Sequence, residues 1–223
     1  MDWRRSIDSY EKGSGTAQRG GAPVSISLKQ FLKPLPNIAL FAKTRSGKDE
    51  VYNVLNRMGW DVERYAFGDA MKEKFYSVFP DMPREPKPTK AMIEFGEAMR
   101  KIDPFVWVRP TMNKMNTRKY ELAQAGLNVP SFVITDVRNW EEYNTCKNAG
   151  FTMVKVWASE ETRIRRMEAL GEEVSRSILD APTEKRMDQF SYDFAVENDT
   201  DDYDTLVSNV TELIYQIQSQ RGR

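Results

Sequence analysis

A chain of 223 residues is long enough for one sizeable core, and a hydrophobic fraction of 40% with 11% aromatic residues marks it as a folding rather than a disordered chain. Lysine plus arginine number 33 and aspartate plus glutamate 33, so no overall positive field exists to hold nucleic acid non-specifically, and any anion must be bound by local geometry. The absence of histidine excludes Ser/His/Asp triads, histidine metal sites and imidazole acid–base chemistry; the single cysteine, Cys146, excludes an intrachain disulfide and any multi-cysteine zinc site.

Residues 1 to about 36 mix charges with Gly13, Gly15, Gly20, Gly21 and Ser/Thr, and they read as a mobile arm stopped by Pro34 and Pro36. Ile38 to Ala42 is a short continuous apolar run, the pattern of a strand buried on both faces. Val51, Val54, Leu55 and Met58 then recur at helical spacing, which predicts a helix from about Lys48 to Gly59. Val62 to Phe67 reads as a second strand and Ala70 to Phe79 as a helix, followed by an extended link through Pro83, Pro86 and Pro88.

Two helical stretches follow, Thr89 to Ile102 and Phe105 to Ala125, the second expected to bend near Pro110. Phe132 to Asp136 is a buried strand. After it come a helix Trp140 to Ala149, a strand Thr152 to Trp157, a helix Glu160 to Ala169, a flexible polar stretch Gly171 to Pro182, a strand Asp193 to Val196 and a last amphipathic helix Tyr203 to Ile217. Alternation of this kind favours a parallel sheet with helices on both faces. No run approaches the roughly 20 apolar residues of a membrane span, and Met1 to Tyr10 lacks the apolar core of a signal peptide, so the expectation is a soluble cytoplasmic protein with no membrane partner.

The segment Ala42-Lys43-Thr44-Arg45-Ser46-Gly47-Lys48-Asp49 sits where the first strand turns into the first helix, and it nearly fits the phosphate-loop pattern G-x-x-x-x-G-K-[ST]. Ala42 replaces the first glycine and Asp49 replaces the hydroxyl residue. Backbone N–H groups from about Arg45 to Asp49 are placed to wrap a phosphate at the positive end of the helix, and Lys48 to neutralise its oxygens. The competing reading is a basic turn with no ligand.

Ser46-Gly47-Lys48-Asp49 resembles the phosphate loop of bacteriophage deoxynucleoside monophosphate kinases and of some phosphomevalonate kinases. Further segments favour the phage kinases. Tyr65 to Lys72 is similar to their Phe-Ala-Asp-x-Leu-Lys segment, and Phe95 to Trp107 resembles their Gly-Thr-x-x-x-Arg-x-x-x-Pro-x-x-Trp stretch. Ile134 to Arg138 with Glu141 and Glu142 resembles their Asp-x-Arg-x-x-x-Glu strand end, and Asp188 with Tyr192 to Asn198 looks like their closing strand. The resemblance covers about residues 37 to 215 and leaves the arm outside it.

The expected fold is accordingly a three-layer α/β P-loop kinase fold: a five-stranded parallel sheet with helices on both faces, a helical acceptor-binding insertion over about 67–125 and a lid over 169–183. The expected activity is transfer of the ATP γ-phosphoryl to a (deoxy)nucleoside monophosphate. ATP would lie on Lys43, Arg45, Ser46, Gly47, Lys48, Asp49 and Glu50, with Lys48, Arg100, Arg138, Arg163 and Arg166 carrying the catalytic charge and Asp49 and Asp136 the magnesium ion.

Asp69, Lys72, Arg100, Trp107 and Arg138 would border the acceptor. Each has a plainer alternative: Arg100 as a solvated helix arginine, Asp136 as a strand-end cap, Trp107 as core, and Arg138 as an ion-pair partner of Asp69. Rival readings are a different phosphorylated acceptor (dephospho-CoA or phosphomevalonate type), a nucleotide-binding module without turnover, and a structural protein on the same fold. Small-molecule nucleotides are the expected partners. The oligomeric state, a homodimer included, stays open, and a phage origin would make the location the host cytoplasm.

Overall fold

The computed structural model describes residues 34–221, so most of the expected arm lies outside the described residues. The apolar run Ile38–Phe41 forms β1, all of it buried. It is the central strand of a parallel sheet of order β2-β3-β1-β4-β5, with β2 at Val62–Tyr65, β3 at Ser131–Val137, β4 at Thr152–Trp157 and β5 at Phe194–Glu197. All four pairings are parallel. The helices among the described residues are α1 Lys48–Arg57, α2 Phe67–Val78, α3 Thr89–Ile102, α4 Val108–Gln124, α5 Trp140–Asn148, α6 Glu160–Ala169, α7 Arg176–Leu179, α8 Pro182–Met187 and α9 Tyr203–Gln220.

Side chains alternate along a strand, so β1 feeds two cores. Ile38 and Leu40, with Val133 and Val154, pack under Val51 and Leu55 of α1 and Val210 and Leu213 of α9. Ala39 and Phe41, with Ile134 and Met153, meet Phe67, Met115, Tyr143 and Met187 on the opposite face. The sheet is therefore the middle of three layers, and its carboxyl edge carries the loops that follow β1, β3, β4 and β5. Between β1 and β3 the register Ala39–Ile134 is followed by Phe41–Val137, so β3 takes one residue more than β1. Such a bulge re-aims a side chain at a strand end; here it lies beside Asp136.

Several expected boundaries shift for physical reasons. Helix α2 starts at Phe67, not Ala70, because the carboxylate of Asp136 accepts the N–H groups of Phe67 and Gly68, both at 2.8 Å. A long-range cap supplies what local propensity could not. Helix α4 starts at Val108, which puts Pro110 in its first turn, where a missing N–H costs nothing and no bend is needed.

The polar stretch expected to be flexible holds one short helix, α7, and a second, α8, starts at its last residue, Pro182. Leu35, assigned to the arm, is buried in the core and its carbonyl accepts from Ser131 Oγ at 2.5 Å. Phe79, the last residue of the expected second helix, is exposed. No described helix is long and apolar enough to cross a membrane.

Candidate functional site

Between the end of β1 and the start of α1 the backbone turns sharply: Arg45 and Gly47 have φ of +65° and +82°. The Ser46 N–H closes back on the Lys43 carbonyl at 3.1 Å, and the Gly47 carbonyl accepts from Glu50 N–H at 3.0 Å. From the end of β5, Asn198 donates its side-chain amide to the Ser46 carbonyl at 2.9 Å. The N–H groups of Arg45, Gly47, Lys48 and Asp49 have no partner among the described residues. Four donors without a partner among the described residues thus line one concavity at the positive end of a helix of 10 residues, an arrangement whose chemistry suits an anion.

This loop forms one wall of a cleft of about 700 Å³. Across from it stand Arg165, Arg166 and Leu170 from the end of α6, Thr200 to Tyr203 from the β5–α9 connection, and Arg138 from the end of β3. Arg166 spans the gap: Nη1 donates to the Arg45 carbonyl at 3.2 Å, Nη2 to the Thr200 carbonyl at 2.7 Å, and Nε to Asp201 at 3.1 Å.

No family model and no curated protein matches the chain. Among solved structures, shikimate kinase from Bacteroides thetaiotaomicron superposes with a TM-score of 0.50 at 15% identity, over 82% of this chain and 98% of that one. Dephospho-CoA kinase from Campylobacter jejuni gives 0.48 at 13% identity, over 83% and 98%. The tunicamycin resistance protein of Deinococcus radiodurans gives 0.49 at 13% identity, over 84% and 96%. The chain has the P-loop kinase fold.

In the P-loop itself Lys48 is one-fifth exposed and faces the cleft, with Asp49 Oδ2 3.1 Å from its ammonium. Lys43, Arg45, Ser46, Gly47, Asp49 and Glu50 line the cleft as well, so the expected nucleotide residues converge. Of the expected arginines, Arg138 and Arg166 reach the cleft. The Arg138 guanidinium makes no hydrogen bond or ion pair with the described residues; Asp69, its expected partner, is taken by Arg64 at 2.8 Å and Lys72 at 2.9 Å. Burial opposes the charge on Asp69, but its bonds to Lys72 and Arg64 outweigh that and hold the carboxyl below its ordinary range.

Two arginines lie elsewhere. Arg163 is buried on the inner face of α6, where Glu184 stands 3.6 Å and Glu160 3.9 Å from it, and it does not line the cleft. Arg100 sits on α3, bonded to Glu97 at 2.8 Å and facing Glu142 at 3.5 Å. Glu142 accepts the N–H groups of Arg138 and Asn139 at 2.8 and 3.1 Å, the capping box of α5. Trp107 belongs to the core, buried, with Nε1 donating to the Gly96 carbonyl at 3.3 Å and its ring 5.8 Å from that of Phe95. A buried indole has no face left for a base to stack on.

Asp136 caps the start of α2 and is not among the residues that line the cleft. Desolvation pushes its pKa above the ordinary range, against the lowering effect of the Gly68 and Phe67 amides and of Lys48 and Arg138. Each oxygen holds one N–H and keeps a lone pair. Among the described residues no group of three acids is placed to hold a metal ion. An ion that keeps most of its ligands as water and phosphate oxygens, as magnesium does, needs few protein ligands; of the two expected here, Asp49 lines the cleft.

Sequence reading missed Asn198, Arg64, Glu172 and Glu184. The contacts of Asn198, Glu172 and Glu184 to the loop cross long stretches of chain and leave no local signal; Arg64 reaches Asp69, five residues further on.

Proposed function

We propose that the chain is an ATP-dependent phosphotransferase whose acceptor is a small phosphorylated molecule, a (deoxy)nucleoside monophosphate above all. The observation that carries the reading is the convergence of four unpartnered loop amides, Lys48 and the uncommitted Arg138 on one cleft. ATP lies with its phosphates in the loop and its base toward Arg166, Leu170 and Tyr203, and Lys48 offsets the charge of the transferring phosphoryl group. Asp49 and Asp136 would hold a magnesium ion, which would supply charge neutralisation to the phosphates. Arg138, which lines the cleft with its guanidinium uncommitted, is the residue to meet the acceptor phosphate, since a guanidinium offers a planar fork of donors.

The motif resemblances beyond the loop and the helical segment 67–125 favour a nucleoside monophosphate over other acceptors, with Asp69, Lys72 and Arg100 on its border and the segment 169–183 as the lid. Phosphoryl transfer asks the protein for positioning and charge rather than covalent chemistry, which suits a chain without histidine. The test is ADP release from ATP and magnesium with each common ribo- and deoxyribonucleoside monophosphate in turn. Turnover with one or a few names the acceptor; silence with all, together with ATP binding, moves the reading to a different acceptor or to a binding module.

A further inference from the structure

Three consecutive P-loop residues each meet a carboxylate from the segment 172–188. Asp188 lies 2.7 Å from Lys43 Nζ, Glu184 accepts from Thr44, and Glu172 accepts from Arg45 Nε at 2.7 Å. The two outer pairs are a third or more exposed on one side or both, where an ion pair contributes little. Glu184 differs from them. It is 2% exposed, with Oε2 2.9 Å from the Thr44 N–H and Oε1 2.8 Å from Thr44 Oγ1.

Behind Glu184 stands Arg163, equally buried, its Nη1 3.6 Å from Glu184 Oε2 and without a hydrogen bond. A buried carboxylate opposite a buried guanidinium would ordinarily spend its oxygens on that partner. Here both oxygens are turned to Thr44 instead, and the cation is left with charge contact only. The next residue, Arg45, has φ of +65°, a conformation that a non-glycine residue keeps when its surroundings hold it.

We propose that Glu184 is a positioning residue: it holds the Thr44–Arg45 turn and makes the shape of the phosphate-binding loop depend on the seating of α8, the helix that follows the lid segment. The inference rests on the nucleotide reading above. It implies that the Thr44 N–H is withdrawn from the phosphate site and that α8 and loop move as one body, because displacing α8 removes the acceptor of two loop donors. Arg163, expected to touch phosphate, acts one step further back by compensating the charge of Glu184.

The experiment measures affinity for a fluorescent ATP analogue with magnesium, and the melting temperature, in the full chain, in Glu184→Gln and in the double variant Arg163→Met/Glu184→Met. Glu184→Gln turns an amide donor toward one of the two Thr44 donors, and affinity falls about tenfold. The double variant replaces the buried pair by apolar side chains of similar length, which restores stability without restoring the acceptor. It melts close to the parent and binds about tenfold more weakly. Parent-like affinity in either folded variant overturns the positioning role and reduces Glu184 to a structural partner of Arg163. Absence of binding by the parent chain overturns the nucleotide reading and this inference together.

Discussion

Asn198 Nδ2 holds the carbonyl of Ser46 at 2.9 Å, and a Cβ on the following residue, Gly47, would lie 2.1 Å from that same nitrogen. Glycine is required there twice, by this approach and by φ of +82°. Gly47→Ala is expected to cost about 1 kcal/mol from the backbone alone and more from displacing Asn198. Thermal unfolding should show a loss of at least about 2–4 °C, and ATP affinity should drop with it. Unchanged binding would mean that the loop tolerates a different path.

Trp107 is core, so Trp107→Phe should lower stability by about 1–2 kcal/mol, through the lost bond to Gly96 and lost volume. Steady-state kinetics should show an acceptor KM close to the parent's. A large rise in KM with little loss of stability would return the indole to the acceptor site.

Asp69 gives a pH signature. Its carboxyl is held below the ordinary range in the fold, so its contribution is present above the unfolded value and is lost as pH falls through the depressed one. Half-exposed pairs contribute under about 1 kcal/mol. Asp69→Asn should melt slightly below the parent at neutral pH, and the gap should close on acidification below the ordinary aspartate range. A gap that widens in acid would contradict the assignment of its partners.

Cys146 is fully buried on α5, and burial pushes its thiol pKa up. The native chain should therefore react with a thiol reagent at a rate set by opening of the fold, and ATP should slow the reaction by stabilising the folded state. Prompt labelling of the folded chain would place the thiol at the surface.

What could be read in advance was what local pattern encodes. Helices α3 and α6 and strand β4 were placed to the residue, because apolar period and breakers are local quantities. The anion loop was legible for the same reason: strand, turn and helix are contiguous. Contacts across the chain were not. Glu184 reaches Thr44 over 140 residues and Asn198 reaches Ser46 over 152, and neither residue stands in a pattern that announces a partner. The start of α2 was hidden because its cap, Asp136, lies on another strand. Trp107 shows the converse: one string of residues suits a base-stacking or a core indole, and only packing decides between them.

The most direct test of the central claim is transfer of a labelled γ-phosphoryl group from ATP to a nucleoside monophosphate, followed by separation of the products, with Lys48→Ala beside the parent. The account predicts labelled diphosphate from the parent, and from Lys48→Ala a loss of most turnover with the melting temperature nearly unchanged, since the residue faces a cleft rather than the core. Equal transfer by both proteins, or label released only as inorganic phosphate, would contradict it.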